Sequence, residues 1–198
     1  MIAAARAETV RIPTAAGARS GDLRVPANPV GIVLFAHGSG SGRLSPRNQQ
    51  VAAALREGGL ATLLFDLLTP AEEQLDNRTA ELRFDIPLLA SRLTEASAFV
   101  ASDPQLAALP VGYFGASTGA AAALIAAAHG AVAAVVSRGG RPDLATHALG
   151  SVRAPTLLIV GGADDPMVLE LNRQAYERLA RADKRLEIVP GAGHLFEE

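Results

Sequence analysis

Short apolar runs alternate with longer segments of helical period along most of the chain. The runs are continuous rather than alternating, which is typical of strands covered on both faces. Such runs occupy residues 31–35, 61–65, 111–114, 132–136, 156–160 and 186–189. Between them, apolar residues recur every three or four positions and predict helices. These helices are expected over residues 48–57, 81–101, 118–128 and 169–182.

Strand–helix–strand alternation predicts a mostly parallel sheet with helices on both faces. The first 25 residues differ, because short stretches at 9–12 and 22–25 flank Ala15-Ala-Gly17 and predict an antiparallel edge hairpin. We therefore expect one α/β domain over residues 1–198. No lid domain is expected, because the gap at 137–155 is short and the loop at 67–79 is polar. The chemistry of such sheets lies at the carboxyl ends of the strands.

Composition narrows the class of protein. Hydrophobic residues make up 49%, which excludes a disordered chain. The 18 basic and 20 acidic residues are scattered, so no nucleic-acid partner is expected. There is no Cys, which excludes thiolate nucleophiles and Cys-bound zinc, and no metal or other cofactor is predicted. The N-terminus lacks a signal-peptide pattern, and the uncharged stretch 119–136 is interrupted by His129-Gly130. We expect a cytoplasmic protein without a membrane span.

The strongest chemical signal is Gly115-Ala-Ser117-Thr-Gly119, which lies between a predicted strand and a predicted Ala-rich helix. This is the context of a nucleophile elbow, in which a sharp turn holds the Ser at positive φ. That conformation costs about 1–3 kcal/mol, and neighbouring chain leaves room only for small residues around it. The alternative is an ordinary turn in which Ser117 caps the helix.

A serine hydroxyl needs a base to become a nucleophile at neutral pH. Of the four histidines, His129 and His147 are expected on the surface, and His37 follows the first apolar run. His194 lies in a Gly-rich turn just after the last run, at the sheet edge where Ser117 is expected. His194 is therefore the predicted base.

A carboxylate should orient the histidine and stabilise its cation. Asp164 and Asp165 both follow the run 156–160, and both cannot point at one imidazole. One of them is expected to pair with the histidine while the other caps the next helix. The order nucleophile, acid, histidine is that of the α/β-hydrolases.

The acyl intermediate also needs two N–H donors for its oxyanion. One donor is the N–H of Thr118, which follows the nucleophile. The other is expected from the glycine-rich loop His37-Gly-Ser-Gly-Ser-Gly42, where Ser39 N–H is the first choice and Gly38 N–H the second. Losing one such donor typically costs about 100- to 1,000-fold in rate. The same loop resembles a dinucleotide-binding turn, but Arg43 breaks the Gly-x-Gly-x-x-Gly spacing.

The sequence resembles the α/β-hydrolase superfamily, and within it the small lidless group similar to dienelactone hydrolases. The residues that carry this resemblance are His37-Gly-Ser-Gly, Gly115-Ala-Ser-Thr-Gly119, Gly162-Ala-Asp-Asp165-Pro-Met-Val168 and Gly193-His194. The resemblance implies three layers, about eight strands and, through its Gly-x-x-Asp-x-x-Val pattern, Asp165 as the acid. Dienelactone hydrolases use a Cys nucleophile, so Ser117 implies ester hydrolysis more generally.

The implied function is hydrolysis of small carboxylic esters, lactones or thioesters included, through an acyl-enzyme. The alternatives are an acyltransferase or thioesterase on the same triad, or a non-catalytic binding domain of this fold.

The fold normally ends with a helix after the catalytic histidine, whereas this chain stops at Glu198. If that helix is absent, one face of the sheet is partly uncovered and favours a homodimer contact.

Three further residues are candidates for binding substrate. Arg138 or Arg43 is expected to bind a substrate carboxylate through a bidentate contact, and His37 lies near them at the strand ends. The alternative for the arginines is a salt bridge to Asp66 or Asp143.

Overall fold

The computed structural model describes residues 5–180 and 183–196. In these residues eight strands form one sheet in the order β1-β2-β4-β3-β5-β6-β7-β8. The strands are β1 (Arg6–Thr14), β2 (Gly17–Val25), β3 (Gly31–Ala36), β4 (Leu60–Phe65), β5 (Val111–Ala116), β6 (Ala134–Arg138), β7 (Thr156–Gly161) and β8 (Lys184–Val189). The helices are α1 (Pro46–Glu57), α2 (Pro70–Thr79), α3 (Ile86–Ser102), α4 (Thr118–His129) and α5 (Pro166–Arg178).

The sheet is antiparallel at one edge and parallel elsewhere. β1 pairs with β2 and β2 with β4 in antiparallel register, while β4, β3, β5, β6, β7 and β8 run parallel. The predicted α/β sheet with an antiparallel edge hairpin is confirmed. Because β3 and β5 are neighbours, the loops after them meet at the carboxyl edge of the sheet.

Helix α4 lies against the centre of the sheet and is buried along nearly its whole length. Ten of its residues, from Thr118 to Ala127, are buried, which only a helix of small side chains can achieve this close to a sheet. The uncharged stretch 119–136 thus divides into a buried helix, a turn and β6, as predicted. In the part of the chain described, no helix combines the length and hydropathy needed to cross a bilayer.

Helix α2 was not expected, because the sequence predicts a polar loop over residues 67–79. Thr69 and Glu72 form a capping box: the Thr69 hydroxyl accepts from Glu72 N–H, and the Glu72 carboxylate accepts from Thr69 N–H. Pro70 occupies the first turn, where its missing N–H costs nothing. These start signals compensate for the absence of an apolar stripe in this segment.

Helices α3 and α5 begin elsewhere than the periodicity predicts. Residues 82–84 form a separate 3-10 turn, and α3 begins at Ile86 after Asp85, whose side chain accepts from Leu88 N–H. Helix α5 begins three residues before its predicted start, at Pro166. Between β6 and β7 the chain makes two short 3-10 turns, 142–145 and 149–151, and no lid occurs in the described residues.

Candidate active site

Ser117 lies at a sharp turn between β5 and α4. Its φ is 50° and its ψ is −120°, in a region that residues with a Cβ seldom adopt. A Cβ at Gly115 would lie 2.4 Å from Ala120 Cα, and one at Gly119 would lie 2.2 Å from the Ala36 carbonyl oxygen. The crowding predicted around Ser117 is therefore present on both sides. The alternative role as a helix cap is wrong, because the Ser117 side chain makes no capping hydrogen bond.

Backbone hydrogen bonds fix this turn to the end of β6. Ser117 N–H donates to the Arg138 carbonyl over 3.3 Å, and the Ser117 carbonyl accepts from Arg141 N–H over 3.1 Å. The same carbonyl accepts from Ala120 N–H within the first turn of α4. Ser117 is thus held by hydrogen bonds to the end of β6 and to α4. A strained backbone conformation persists only where the surrounding structure fixes it in this way.

His194 contacts a buried carboxylate. His194 Nδ1 lies 2.8 Å from Asp164 Oδ2, and only 3% of the Asp164 side chain is exposed. The other oxygen of Asp164 accepts from Asp165 N–H over 2.7 Å. Because both oxygens are engaged, the carboxylate is fixed in place. It can accept the Nδ1 proton and leave Nε2 free to act as a base.

Asp165 does not contact the histidine, so its prediction as the acid is wrong. It is the N-cap of α5, where its carboxylate accepts from Met167 N–H over 2.8 Å. Pro166 at the first helical position places Asp165 at the cap, and a cap side chain turns towards the helix axis. Of the two adjacent aspartates that the residues alone left open, Asp164 is the partner of His194.

Ser117 and His194 line the same cleft, which is open to solvent. The backbone of Gly139 passes beneath the imidazole, since a Cβ there would lie 3.6 Å from His194 Cε1. Gly139 has a φ of 51°, so the turn after β6 favours glycine at this point. Side chains that sequence reasoning missed also line the cleft: Ser45, Arg47 and Asn48. They come from the start of α1, and no local signal assigns them to the cleft.

The two predicted oxyanion donors lie next to each other, but one of them is already used. Ser39 N–H donates to Thr118 Oγ1 over 3.0 Å. Thr118 is the first residue of α4, so its own N–H has no partner within that helix. A Cβ at Gly38 would lie 3.1 Å from Ser117 Cβ, which places the glycine loop directly against the candidate nucleophile.

His37 supports this loop, and its contact with substrate stays a prediction. Its Nδ1 lies 3.0 Å from the Gly38 carbonyl and its Nε2 accepts from Leu67 N–H over 3.1 Å, so both ring nitrogens have backbone partners. Burial lowers the pKa of His37, so the ring stays neutral at physiological pH. It joins the loop after β3 to the loop after β4.

The two candidate arginines have different surroundings. Arg43 Nη1 lies 2.7 Å from Asp66 Oδ2, and Arg43 Nε lies 3.5 Å from Asp22 Oδ2. Arg43 thus forms the salt bridge to Asp66 that the sequence offers as the alternative, and its contact with substrate stays a prediction. Arg138 lines the cleft, with its guanidinium carbon 5.8 Å from the ring centre of Phe114 and 6.0 Å from that of Phe196.

A metal centre has no ligand set in the described part of the chain. Within residues 5–180 and 183–196, no group of three or more His, Asp or Glu side chains is placed to hold an ion.

Comparisons with known proteins show the family and the fold of this chain. The model of the dienelactone hydrolase family matches residues 26–198. The crystal structure of a dienelactone hydrolase from Anabaena variabilis is 56% identical, covers 98% of this chain and 90% of that one, and has a TM-score of 0.94. A serine hydrolase without a lid from Xanthomonas campestris shares the fold at 19% identity, over 96% of this chain and 87% of that one, with a TM-score of 0.74.

A Mycobacterium tuberculosis protein provisionally named a phosphoribosyl transferase is 58% identical over 195 residues. The match covers 98% of this chain and 43% of that protein. The chain thus spans less than half the length of this relative.

Proposed function

The chain belongs to the dienelactone hydrolase family, and on this premise we propose that it is a serine hydrolase of small carboxylic esters. The observation that carries the proposal is the grouping of three side chains. Ser117, held at a φ of 50°, lines one cleft with His194, whose Nδ1 lies 2.8 Å from Asp164. This grouping supports the proposal, because a histidine paired with a carboxylate activates a serine hydroxyl that it reaches for attack on a carbonyl.

The proposed reaction proceeds through an acyl-enzyme. Ser117 Oγ attacks the ester carbonyl while His194 Nε2 takes the hydroxyl proton, and Asp164 stabilises the resulting imidazolium. The tetrahedral oxyanion is bound by Thr118 N–H and the Ser39 loop. His194 then returns the proton to the leaving alcohol. A water molecule activated by His194 attacks the acyl group, and Ser117 is released with the free acid.

We infer that the transferase name of the mycobacterial relative refers to its other part. The match covers 43% of that protein, and the dienelactone hydrolase model covers residues 26–198 of the matching chain. This chain should therefore release no pyrophosphate from phosphoribosyl pyrophosphate. Pyrophosphate release by the purified chain would contradict the inference.

Covalent labelling tests the proposed nucleophile. A fluorophosphonate, which mimics the tetrahedral intermediate, is expected to label Ser117 alone and to stop hydrolysis of short p-nitrophenyl esters. Ser117→Ala should abolish labelling. Ser41→Ala is the matched control, because Ser41 lines the same cleft and should leave labelling unchanged. A folded chain that is not labelled, or labelling that survives Ser117→Ala, would contradict the proposal.

We propose that Arg138 binds an anionic group of the ester. It lies at the end of β6, where its carbonyl accepts from Ser117 N–H, and its guanidinium carbon lies about 6 Å from the centres of two rings. A hydrogen bond to a charged partner contributes about 1.5–3 kcal/mol. Arg138→Ala should therefore lower kcat/KM for carboxylate-bearing esters about 10- to 100-fold.

The control for Arg138 is a neutral ester of the same length, whose hydrolysis should change less than about threefold. Arg138→Lys, which keeps the charge but not the planar fork, should recover part of the loss. Equal losses on charged and neutral esters would show that Arg138 only supports the site.

A further inference from the structure

The hydroxyl of Thr118 contacts the loop that is to bind the oxyanion. Ser39 N–H donates to Thr118 Oγ1 over 3.0 Å, although the two residues lie 79 positions apart in the chain. Thr118 is 4% exposed, so its hydroxyl lies inside the protein. Ser39, an exposed loop residue, therefore donates its N–H to the buried side chain of Thr118 in α4.

The loop needs such an anchor because its own sequence is flexible. Gly38 and Gly40 flank Ser39, and Gly40 has a φ of 70°. Glycine loses more conformational freedom on ordering than any other residue. His37 fixes the start of the loop, whereas the Thr118 hydroxyl fixes Ser39, next to the turn that carries Ser117.

We propose that Thr118 is a positioning residue whose hydroxyl holds Ser39 N–H beside Ser117 in the resting enzyme and gives it up to the oxyanion during acylation. This rests on the proposed function, because it assigns a role within the same reaction. The side chain of Thr118 acts through Ser39, in addition to the donor role of the Thr118 backbone.

The exchange of hydrogen-bond partners follows from the strength of the two acceptors. A hydrogen bond to an ionised acceptor is roughly twice as strong as one to a neutral acceptor. The carbonyl of a bound ester is neutral and gains little by displacing the Thr118 hydroxyl. The oxyanion is charged and displaces it. Ser39 N–H therefore stabilises the transition state more than the substrate. The Thr118 hydroxyl raises kcat by holding this N–H in place before the oxyanion forms, not through the bond that it gives up.

The test compares two substitutions at this position. Thr118→Val keeps the shape and removes the hydroxyl, while Thr118→Ser keeps the hydroxyl. We expect Thr118→Val to lower kcat about 10-fold with KM within twofold of wild type. The loss in rate is smaller than the one for deleting an oxyanion donor, because Ser39 N–H is still present but no longer held in place. Thr118→Ser should keep kcat within about threefold of wild type.

A pair of inhibitors separates positioning from a structural effect. A boronic acid that forms a tetrahedral anion on Ser117 should bind about 10-fold more weakly to Thr118→Val, whereas the neutral alcohol product should bind equally well. Weaker binding of both, or of neither, overturns the proposal. So does an unchanged kcat in Thr118→Val.

Amide hydrogen exchange at Ser39 reports the contact without using activity. The Ser39 N–H should be protected in wild type and Thr118→Ser and should exchange at least about 10-fold faster in Thr118→Val. Unchanged exchange in Thr118→Val would show that this contact does not hold the loop. A wild type that hydrolyses no ester removes the proposed function and this role together, whereas an active wild type with an insensitive Val variant removes this role alone.

Discussion

Replacing Asp164 with Asn is expected to lower kcat about 10,000-fold, the loss typical of this change in a serine triad. The carboxylate at 2.8 Å from His194 Nδ1 requires a proton on that nitrogen. Nε2 is then free to act as the proposed base for Ser117. An amide at position 164 can donate to Nδ1 instead. The proton of the imidazole then moves to Nε2, and the base faces Ser117 in the wrong tautomer.

Asp165 provides a control one position away. Asp165→Asn should leave kcat within a few fold, because Asn caps a helix about as well as Asp. Asp165→Ala should also leave kcat nearly unchanged but lower the free energy of unfolding by about 1 kcal/mol, because it removes the acceptor for Met167 N–H. Steady-state kinetics and urea unfolding measure the two effects. If Asp165→Asn lost more activity than Asp164→Asn, the assignment of the acid would have to be reversed.

The choice between these two aspartates could have been made from the sequence. Pro166 is well suited to the first position of a helix, which makes the residue before it the N-cap and commits its carboxylate to the helix N–H groups. The family pattern favours Asp165, but this local signal favours Asp164, and the structure agrees with the local signal.

The parallel strands were predictable because their signal is local. The run 61–65 is almost entirely apolar and is buried on both faces, as expected of a strand between two helical layers. Helix α2 has no such stripe. It is supported by ion pairs from outside its own span, Arg83 to Asp76 and Arg92 to Glu72, which no periodicity can indicate.

The contacts of the loop residues could be predicted only in part: the sequence offered the Arg43–Asp66 salt bridge as an alternative and gave no sign of the Ser39–Thr118 contact. Asp66 and Arg43 lie 23 positions apart, and Ser39 and Thr118 lie 79 apart. Such pairs become neighbours only because β3 pairs with both β4 and β5. The sequence could name the residues at the strand ends, but which of them meet depends on strand order.

Ser117→Ala and Ser117→Gly are both expected to lower kcat by at least about 10,000-fold, because each removes the proposed nucleophile. Their stabilities should differ. At a φ of 50° and a ψ of −120°, a residue with a Cβ carries about 1–3 kcal/mol of backbone strain, whereas glycine carries almost none. Glycine also adds about 0.4–1 kcal/mol of entropy to the unfolded chain. We expect the Gly variant to be the more stable of the two by about 1 kcal/mol, measured by urea unfolding.

Ser91 supplies the opposite result as a control. It is an exposed residue inside α3, where Ser91→Gly should be less stable than Ser91→Ala by about 1 kcal/mol. If the Gly variant is the more stable one at position 117 and the Ala variant at position 91, the difference arises from the backbone conformation, since both positions start from Ser. If the order were the same at both positions, Ser117 would not be strained in solution. The sharp turn would then not be what exposes its hydroxyl, and the case for a nucleophile would rest on His194 and Asp164 alone.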